Sequence, residues 1–208
     1  AQDCPDGEKC VPFASIGGAY DDNKCVPIQG DAAPGEPCVS NGQIEATDDC
    51  DGAGYCYVSN GPMVCQPFCT PDADCVDPEL SCASFNQDVL TMCLSSCDPL
   101  EADPCPESAS CAASFGTSPD PFICLPGISL GKAQGDACAY INDCLEGLVC
   151  TEAEFLEGCE GSACCTAACD LNDLEACGGL EPMICLSYFE PDMAPVGFEH
   201  VGVCRLPQ

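Results

Sequence analysis

Cysteine constrains the fold of this chain more than any other residue, because 25 of its 208 residues are cysteine and they recur at regular intervals. A cysteine content above about 10% in a short chain is typical of a disulfide scaffold. Disulfides persist in oxidising compartments. The sequence therefore predicts an oxidised protein that is secreted or extracellular, for example at the cell surface, and we interpret Ala1 as a mature end left by signal cleavage.

The rest of the composition makes such cross-links necessary. Leu, Ile, Val and Phe together supply only 40 of the 208 residues, and the formal net charge is -31. A chain of this kind buries too little apolar surface to offset the conformational entropy lost on folding. A disulfide that closes a loop of about 15 residues removes roughly 3 kcal/mol of that entropy from the unfolded chain. We expect disulfides to hold the fold and the reduced chain to unfold.

The cysteines form a four-cysteine module that occurs five times. Within a module, 5 to 11 residues separate the first two cysteines, 5 to 7 the next two, and 8 to 18 the last two. An acid usually lies just before the second cysteine, as Asp49 and Asp143 do. An N-terminal copy with Cys4, Cys10 and Cys25 lacks only the first position, and Cys159 and Cys164 lie inside the last loop of the fourth module.

Repeats of this length usually form arrays of similar units. The predicted fold is a small disulfide-rich repeat protein, an elongated array of four-cysteine modules with short β-hairpins and little helix. Residues 1–25 form the partial module, 26–37 a Gly- and Pro-rich linker, 38–124 three modules, 125–137 a second linker, and 138–208 two modules. The joints Cys65–Cys69, Cys93–Cys97 and Cys165–Cys169 each enclose three residues, so we expect them to couple adjacent modules rigidly.

Four cysteines allow three pairings, which the sequence alone does not distinguish. We favour bonds from first to third and from second to fourth, because interleaved loops cross-tie each module. The pairs are then Cys38 with Cys56, Cys50 with Cys65, Cys69 with Cys82, Cys75 with Cys93, Cys97 with Cys111, Cys105 with Cys124, Cys138 with Cys150, Cys144 with Cys165, Cys169 with Cys185, and Cys177 with Cys204. Cys10 is left outside this scheme. Three interpretations of the odd cysteine stay open: a thiol, a bridge to another chain, or a true N-terminus that lies upstream.

The stretch from Cys138 to Cys169 (CAYINDCLEGLVC, then CCTAAC) resembles the cysteine-rich modules of Dickkopf-like and colipase-like extracellular proteins, whose spacing also opens with two five-residue gaps. Over its whole length the chain is similar to the acidic, tandem cysteine-rich secreted proteins of myxobacterial type, in which DC-x5-C units recur. That resemblance implies a secreted or envelope location and no known chemistry. No functional residue carries over from it.

Catalysis and thiolate metal binding find little support in the sequence. A Ser or Cys nucleophile needs a base such as His or Lys, and the chain has one histidine, His200, and four Lys or Arg residues. Zinc sites favour C-x2-C spacing, which is absent here. We therefore expect a protein that is not an enzyme. Calcium is the cofactor that the chain could bind, with Asp170, Asp173 and Glu175 as hard oxygen ligands; the alternative is that such acids accept hydrogen bonds in turns.

The charge and the remaining apolar residues predict the partners. A surface this negative repels nucleic acid, and no apolar run is long enough for membrane insertion. Phe189, Met193 and Phe198 are apolar for such an acidic chain, and we expect them to contact another extracellular protein subunit, for example by self-association. The predicted function is a secreted, non-enzymatic structural or interaction component of an extracellular or cell-surface assembly, such as a filament or matrix subunit. The alternative is a soluble extracellular binding protein, either a protease inhibitor or a calcium-dependent adhesin.

Overall fold

The computed structural model describes residues 4–57, 63–70, 75–106, 109–114, 117–126 and 131–207. These parts of the chain contain twelve β-strands, a 3-10 turn at Ala153–Phe155, and no α-helix. The strands are β1 (Glu8–Phe13), β2 (Asp22–Pro27), β3 (Gly54–Cys56), β4 (Cys65–Pro67), β5 (Leu80–Phe85), β6 (Leu90–Ser95), β7 (Ala109–Ala113), β8 (Phe122–Pro126), β9 (Leu148–Glu152), β10 (Ala163–Asp170), β11 (Ile184–Ser187) and β12 (Val201–Arg205). The predicted class, a disulfide-rich protein of short hairpins with little helix, is confirmed.

Each module contributes one antiparallel hairpin in which its third and fourth cysteines lie directly opposite each other. The partial module follows the same register, with Cys10 opposite Cys25. The opposed pairs in the five complete modules are Cys56 and Cys65, Cys82 and Cys93, Cys111 and Cys124, Cys150 and Cys165, and Cys185 and Cys204. The last two hairpins also join each other through β10 and β12, which gives a four-stranded sheet in the order β11-β12-β10-β9.

Twelve disulfides tie the described chain together, and in every complete module the first cysteine bonds the third and the second bonds the fourth. Two further bonds join Cys4 to Cys25 and Cys159 to Cys164. Because the hairpin places the third and fourth cysteines side by side, each can reach a different point of the loop that precedes the hairpin. Cys10 is the cysteine that lies outside these disulfides.

The interior consists of small clusters built around the cystines. The first, second, fourth and fifth modules each bury a group of at least three cysteines with a few aliphatic neighbours. A larger cluster combines Phe122, Val149, Val201 and Val203 with the cystines of the third module. Cross-links and sulfur contacts therefore occupy most of the space that large aliphatic side chains fill in an ordinary core.

The chain divides into two compact units at a place that the joint lengths do not predict. The N-terminal compact unit comprises Ala1–Ser95 with Gly116–Pro119, and the C-terminal compact unit comprises Ser96–Phe115 with Asp120–Gln208. The division thus falls inside the three-residue joint between Cys93 and Cys97, not in the segment 125–137. The physical reason is that Phe122, fully buried in the third hairpin, packs with valines of the fourth and fifth modules.

Both predicted linkers end in ordered segments that belong to the following module. Gly35 donates its backbone N–H to the carbonyl of Cys65 at 2.8 Å, and Gly135 makes the matching bond to Cys165 at 2.8 Å. The two glycines have φ of 88° and 86°, a backbone conformation that favours glycine because it has no Cβ. Gly35 and Gly135 therefore tie the ends of these segments to the fourth-cysteine strand of the following module.

Candidate functional site

The cationic side chains of the N-terminal compact unit are both used internally. Lys9 is fully buried, and its Nζ donates to Asp48 Oδ1 at 2.6 Å and to the carbonyls of Cys50 and Gly54 at 2.8 and 2.9 Å. Lys24 donates to the carbonyl of Ile44 and lies 4.8 Å from the centre of the Phe13 ring. Neither charge is presented to solvent without an acceptor close by.

The two cationic side chains of the C-terminal compact unit are also engaged. Lys132 Nζ lies 3.1 Å from Asp143 Oδ2, and the Asp143 side chain is nearly buried. Arg205 donates to the carbonyl of Ser187 at 3.0 Å and lies over the Phe155 ring. Because Lys and Arg number only four against 35 acids, the outward-facing charge of the protein is carried almost entirely by carboxylates.

Asp49 and Asp143, which directly precede the second cysteines of the first and fourth modules, accept backbone hydrogen bonds in turns. Asp143 Oδ2 accepts the backbone N–H groups of Ala139 and Tyr140 at 2.8 and 3.1 Å. Asp49 Oδ1 accepts the N–H of Val39 at 2.8 Å. Each carboxylate thus closes the loop between the first and second cysteines of its module, which explains why the acid recurs in the sequence.

Of the candidate calcium residues, Asp170 is the half-buried last residue of β10, and Asp173 and Glu175 lie on the exposed turn that follows. Asp170 Oδ1 accepts the backbone N–H and the side-chain amide of Asn172, and these hydrogen bonds hold the pKa of Asp170 below its usual range. Asp173 accepts the N–H of Glu175 at 3.0 Å. Within the described residues, only cysteine sulfurs form groups of three ligand atoms within 4.8 Å of one another, so the oxygens of this turn do not converge on one point.

The cysteine groups themselves are unsuited to hold a metal. Each of the five groups of three sulfurs contains the second cysteine of a module and two of its neighbours. Every sulfur in them belongs to a disulfide. Thiolate, not disulfide sulfur, is the metal ligand, so these groups are structural while the protein is oxidised.

The structure separates the three predicted interaction residues into two environments. Phe189 and Phe198 are half-buried and pack on the Phe122 ring, with ring centroids 6.4 and 5.9 Å away. Met193 is 68% exposed and Val196 is 95% exposed. The part of this apolar segment that faces solvent is therefore Met193 with Val196, while the two phenylalanines stabilise the C-terminal compact unit.

The single histidine pairs with an acid on the same compact unit. His200 Nε2 lies 3.3 Å from Asp98 Oδ2, and both side chains are partly exposed. The backbone carbonyl of His200 also accepts the N–H of Leu171 at 2.8 Å. The contact with Asp98 connects the third module with the last loop of the chain, and the hydrogen bond from Leu171 joins two segments of the fifth module.

An apolar groove on the N-terminal compact unit is a feature that the sequence analysis missed. Its volume is about 540 Å³, and it lies between the first and second complete modules. Its apolar lining includes Pro34, Val64, Pro67, Phe68, Val76 and Leu80, and Asp77 also lines it. These residues come from separate segments of the chain and share no periodicity, so no local sequence pattern predicts the groove.

Disulfides and hydrogen bonds fix the walls of this groove. Cys65 is bonded to Cys50, and Cys75 to Cys93; three of these four cysteines line the groove. The Phe68 ring packs on that of Tyr55 at 5.6 Å, and the Tyr55 hydroxyl donates to a carbonyl of β6 at 2.9 Å. The groove is therefore a preformed concave surface.

Comparison with known proteins finds no family model, no curated protein and no solved structure that matches this chain. The resemblance of the cysteine spacing to that of other extracellular proteins thus remains an expectation from the sequence.

The class that the fold itself defines is a small, disulfide-rich protein of repeated β-hairpin modules. Twelve disulfides suit an oxidising environment. Across the described ranges, no helix has the length and apolar character needed to cross a membrane.

Buried phenols give a direct optical test of the fold. Burial raises the pKa of Tyr57 and of Tyr188 to about 12. Because the neutral phenol is favoured in the folded state, its contribution to stability is complete below about pH 10 and is lost as the pH rises through about 12. We expect the tyrosinate absorbance of the oxidised protein to include a fraction that develops near pH 12. After reduction and unfolding, that fraction should move to about pH 10; an unchanged curve would contradict the burial.

Proposed function

We propose that this protein is a secreted, non-enzymatic structural or interaction component of an extracellular or cell-surface assembly, such as a filament or matrix subunit. The observation that carries the proposal is the interleaved pair of disulfides in every complete module. Such cross-links keep small modules rigid without a large apolar core. A chain stapled in this way serves as a durable support whose exposed loops make the contacts.

The charge distribution supports the same proposal. The Lys and Arg side chains bind internal acceptors, so the surface is dominated by carboxylates. A surface of one sign keeps the protein dissolved and disfavours nucleic acid and anionic lipid headgroups as partners. Other extracellular protein subunits are the partners that fit, including further copies of this chain.

Met193 and Val196 form the solvent-facing part of the segment for which we expect self-association. We expect native mass spectrometry to detect oligomers of the wild-type protein. The double substitution Met193→Ser with Val196→Ser should lower the association affinity by at least about tenfold, because two apolar side chains that are buried in the oligomer are removed. Because these side chains are exposed in the monomer, the variant should fold normally.

Ile16→Ser is the matched control, since Ile16 is 90% exposed on the other compact unit. This substitution should leave the oligomers unchanged. A wild-type protein that stays monomeric at high concentration, or a double variant that assembles like the wild type, would remove the self-association hypothesis. Substitution of Phe189 or Phe198 would not separate the two effects, because both rings support Phe122.

Resistance to proteolysis is a second expected property. A trypsin-like protease has four cleavage sites, and Lys9, Lys24 and Arg205 lie within β1, β2 and β12. Lys132 is held by backbone hydrogen bonds to Asp143 and Leu145. We expect the oxidised protein to be cleaved at least about 100-fold more slowly than the reduced and alkylated chain, since cleavage needs local opening. Equal rates in a timed digestion would show that the modules open freely.

The alternative is a soluble extracellular binding protein, and the observation that favours it is the preformed apolar groove. A monomer that binds a single partner one-to-one would support this alternative over an assembly subunit. Within it, a protease inhibitor would bind its target protease, and a calcium-dependent adhesin would bind only when calcium is present. Native mass spectrometry with and without calcium distinguishes the three cases.

A further inference from the structure

The groove on the N-terminal compact unit has the size and lining of a binding site. Ligand sites commonly enclose about 300 to 1,000 Å³ and are lined mainly by apolar groups, and this groove of about 540 Å³ falls within that range. Val76, one of its lining residues, is 97% exposed. A β-branched side chain left this open gains stabilisation when a ligand covers it.

The groove also requires little rearrangement to bind. The disulfide Cys50–Cys65 holds the part of its wall from the first complete module and Cys75–Cys93 the part from the second, and Phe68 packs on Tyr55. A preorganised site loses less conformational entropy on binding than a flexible one. Apolar contacts made here therefore translate efficiently into affinity.

Charge determines which apolar ligand fits. Asp77 lines the groove, and Glu79 follows two residues later on an exposed turn. The two lysines of this compact unit do not balance these acids, because Lys9 is buried against Asp48 and Lys24 is bonded to the carbonyl of Ile44. Electrostatic complementarity selects a cationic partner and rejects an anionic one.

We propose that the groove binds a short extended peptide segment of a partner protein in which apolar side chains are flanked by lysine or arginine. The apolar side chains occupy the space lined by Phe68, Val76 and Leu80, and a cationic side chain lies near Asp77. A peptide is the occupant that supplies both chemistries in one chain, and extracellular proteins are the partners expected for this class. Binding at the groove is independent of self-association through Met193 and Val196.

The test uses the full oxidised protein and two synthetic peptides. One peptide alternates leucine and valine between terminal lysines, and the other has glutamates in place of the lysines. Isothermal titration calorimetry should detect one-to-one binding of the lysine peptide, with an affinity that falls as salt is added. The glutamate peptide should bind at least about tenfold more weakly. Equal binding of the two peptides would overturn the charge assignment.

Variants then locate the site. Val76→Ser should weaken the lysine peptide by about tenfold, because an apolar contact is lost, and Asp77→Asn should reduce the salt dependence. Val39→Ser is the matched control, since Val39 is 66% exposed on the same compact unit and does not line the groove; it should bind like the wild type. If Val76→Ser binds normally, the peptide interacts only with the general negative surface and the proposal is wrong.

Two other occupants are distinguished in the same experiment. A simple alkylammonium amphiphile that binds more tightly than the lysine peptide would show that the groove takes a small molecule and would refute the peptide assignment. If the protein forms dimers through the groove, the Val76→Ser variant should lose them. That result would identify a second copy of the chain as the occupant and would refute the peptide assignment. A Val76→Ser variant that no longer binds the lysine peptide but keeps the oligomeric state of the wild type would support the peptide assignment.

Discussion

Reduction of the disulfides is expected to unfold the entire chain under otherwise native conditions. The described cysteine bonds close loops with sequence separations from 5 to 27 residues, and a loop of about 15 residues contributes roughly 3 kcal/mol. The cystine clusters would also lose their geometry, since they form the interior of most modules. Small-angle X-ray scattering should then give a radius of gyration of about 50 Å, the value for an unfolded chain of this length.

The disulfides differ in the stability that each is expected to contribute, so a comparison of two of them provides an internal control. Replacing Cys159 and Cys164 by Ser removes a bond of separation 5, for which loop entropy predicts a loss of about 2 kcal/mol. Replacing Cys177 and Cys204 removes one of separation 27, for which the loss is about 3.5 kcal/mol. Calorimetric melting of both variants checks the order. A reduced chain that keeps its strand signal in circular dichroism would show that apolar packing holds the fold.

Substitution of Lys9 is expected to destabilise the N-terminal compact unit more than any other single charge removal in it. Lys9→Met leaves the Asp48 carboxylate, 3% exposed, without its cation, and leaves the carbonyls of Cys50 and Gly54 without this donor. Breaking a buried ion pair by removing one partner costs about 3–5 kcal/mol. Chemical denaturation of the oxidised variant, followed by the tyrosine signal in near-ultraviolet circular dichroism, measures the free energy of unfolding.

The double variant Lys9→Met with Asp48→Asn separates the buried charge from the lost packing. Asp48 also accepts the backbone N–H groups of Cys50 and Cys56 at 2.9 and 3.0 Å, and an asparagine oxygen can keep one such bond. We expect the double variant to be more stable than Lys9→Met, with a coupling energy of up to about 3 kcal/mol. Lys24→Met, at the half-buried lysine, should change stability by about 1 kcal/mol or less. Equal losses for the two lysines would contradict the assigned role of Lys9.

The hairpins could be predicted because their signals are local. A short apolar run precedes the fourth cysteine, as Ile123 does Cys124 and Val203 does Cys204, and such runs between turn residues predict short strands. The interleaved pairing was favoured among three that the sequence leaves open, and it fits the same geometry, since opposed cysteines in a hairpin reach different points of the preceding loop. The Gly- and Pro-rich composition of 26–37 and 125–137, by contrast, does not predict that Gly35 and Gly135 adopt positive φ and donate specific backbone hydrogen bonds.

The apolar surface, the groove and the acidic turn could be predicted less well from the sequence than the hairpins. The sequence places Phe189, Met193 and Phe198 in one apolar group, and only the packing on Phe122 separates the two rings from the exposed methionine. The groove near Val76 combines residues of two modules, so it exists only once the modules are joined. Asp170 and Asp173 form an acidic cluster in sequence, but short side chains after a strand bind backbone N–H groups first.

Cysteine spacing by itself predicted the modular organisation and the hairpins, because each disulfide and each hairpin within a module joins residues that are close in the chain. The tertiary structure alone decided that Lys9 is buried against Asp48, 39 residues away. It also decided that the compact units divide at Ser95, and that an apolar groove opens between two modules. Such features depend on contacts between distant segments, and side chains that meet across such distances leave no periodic pattern in the sequence.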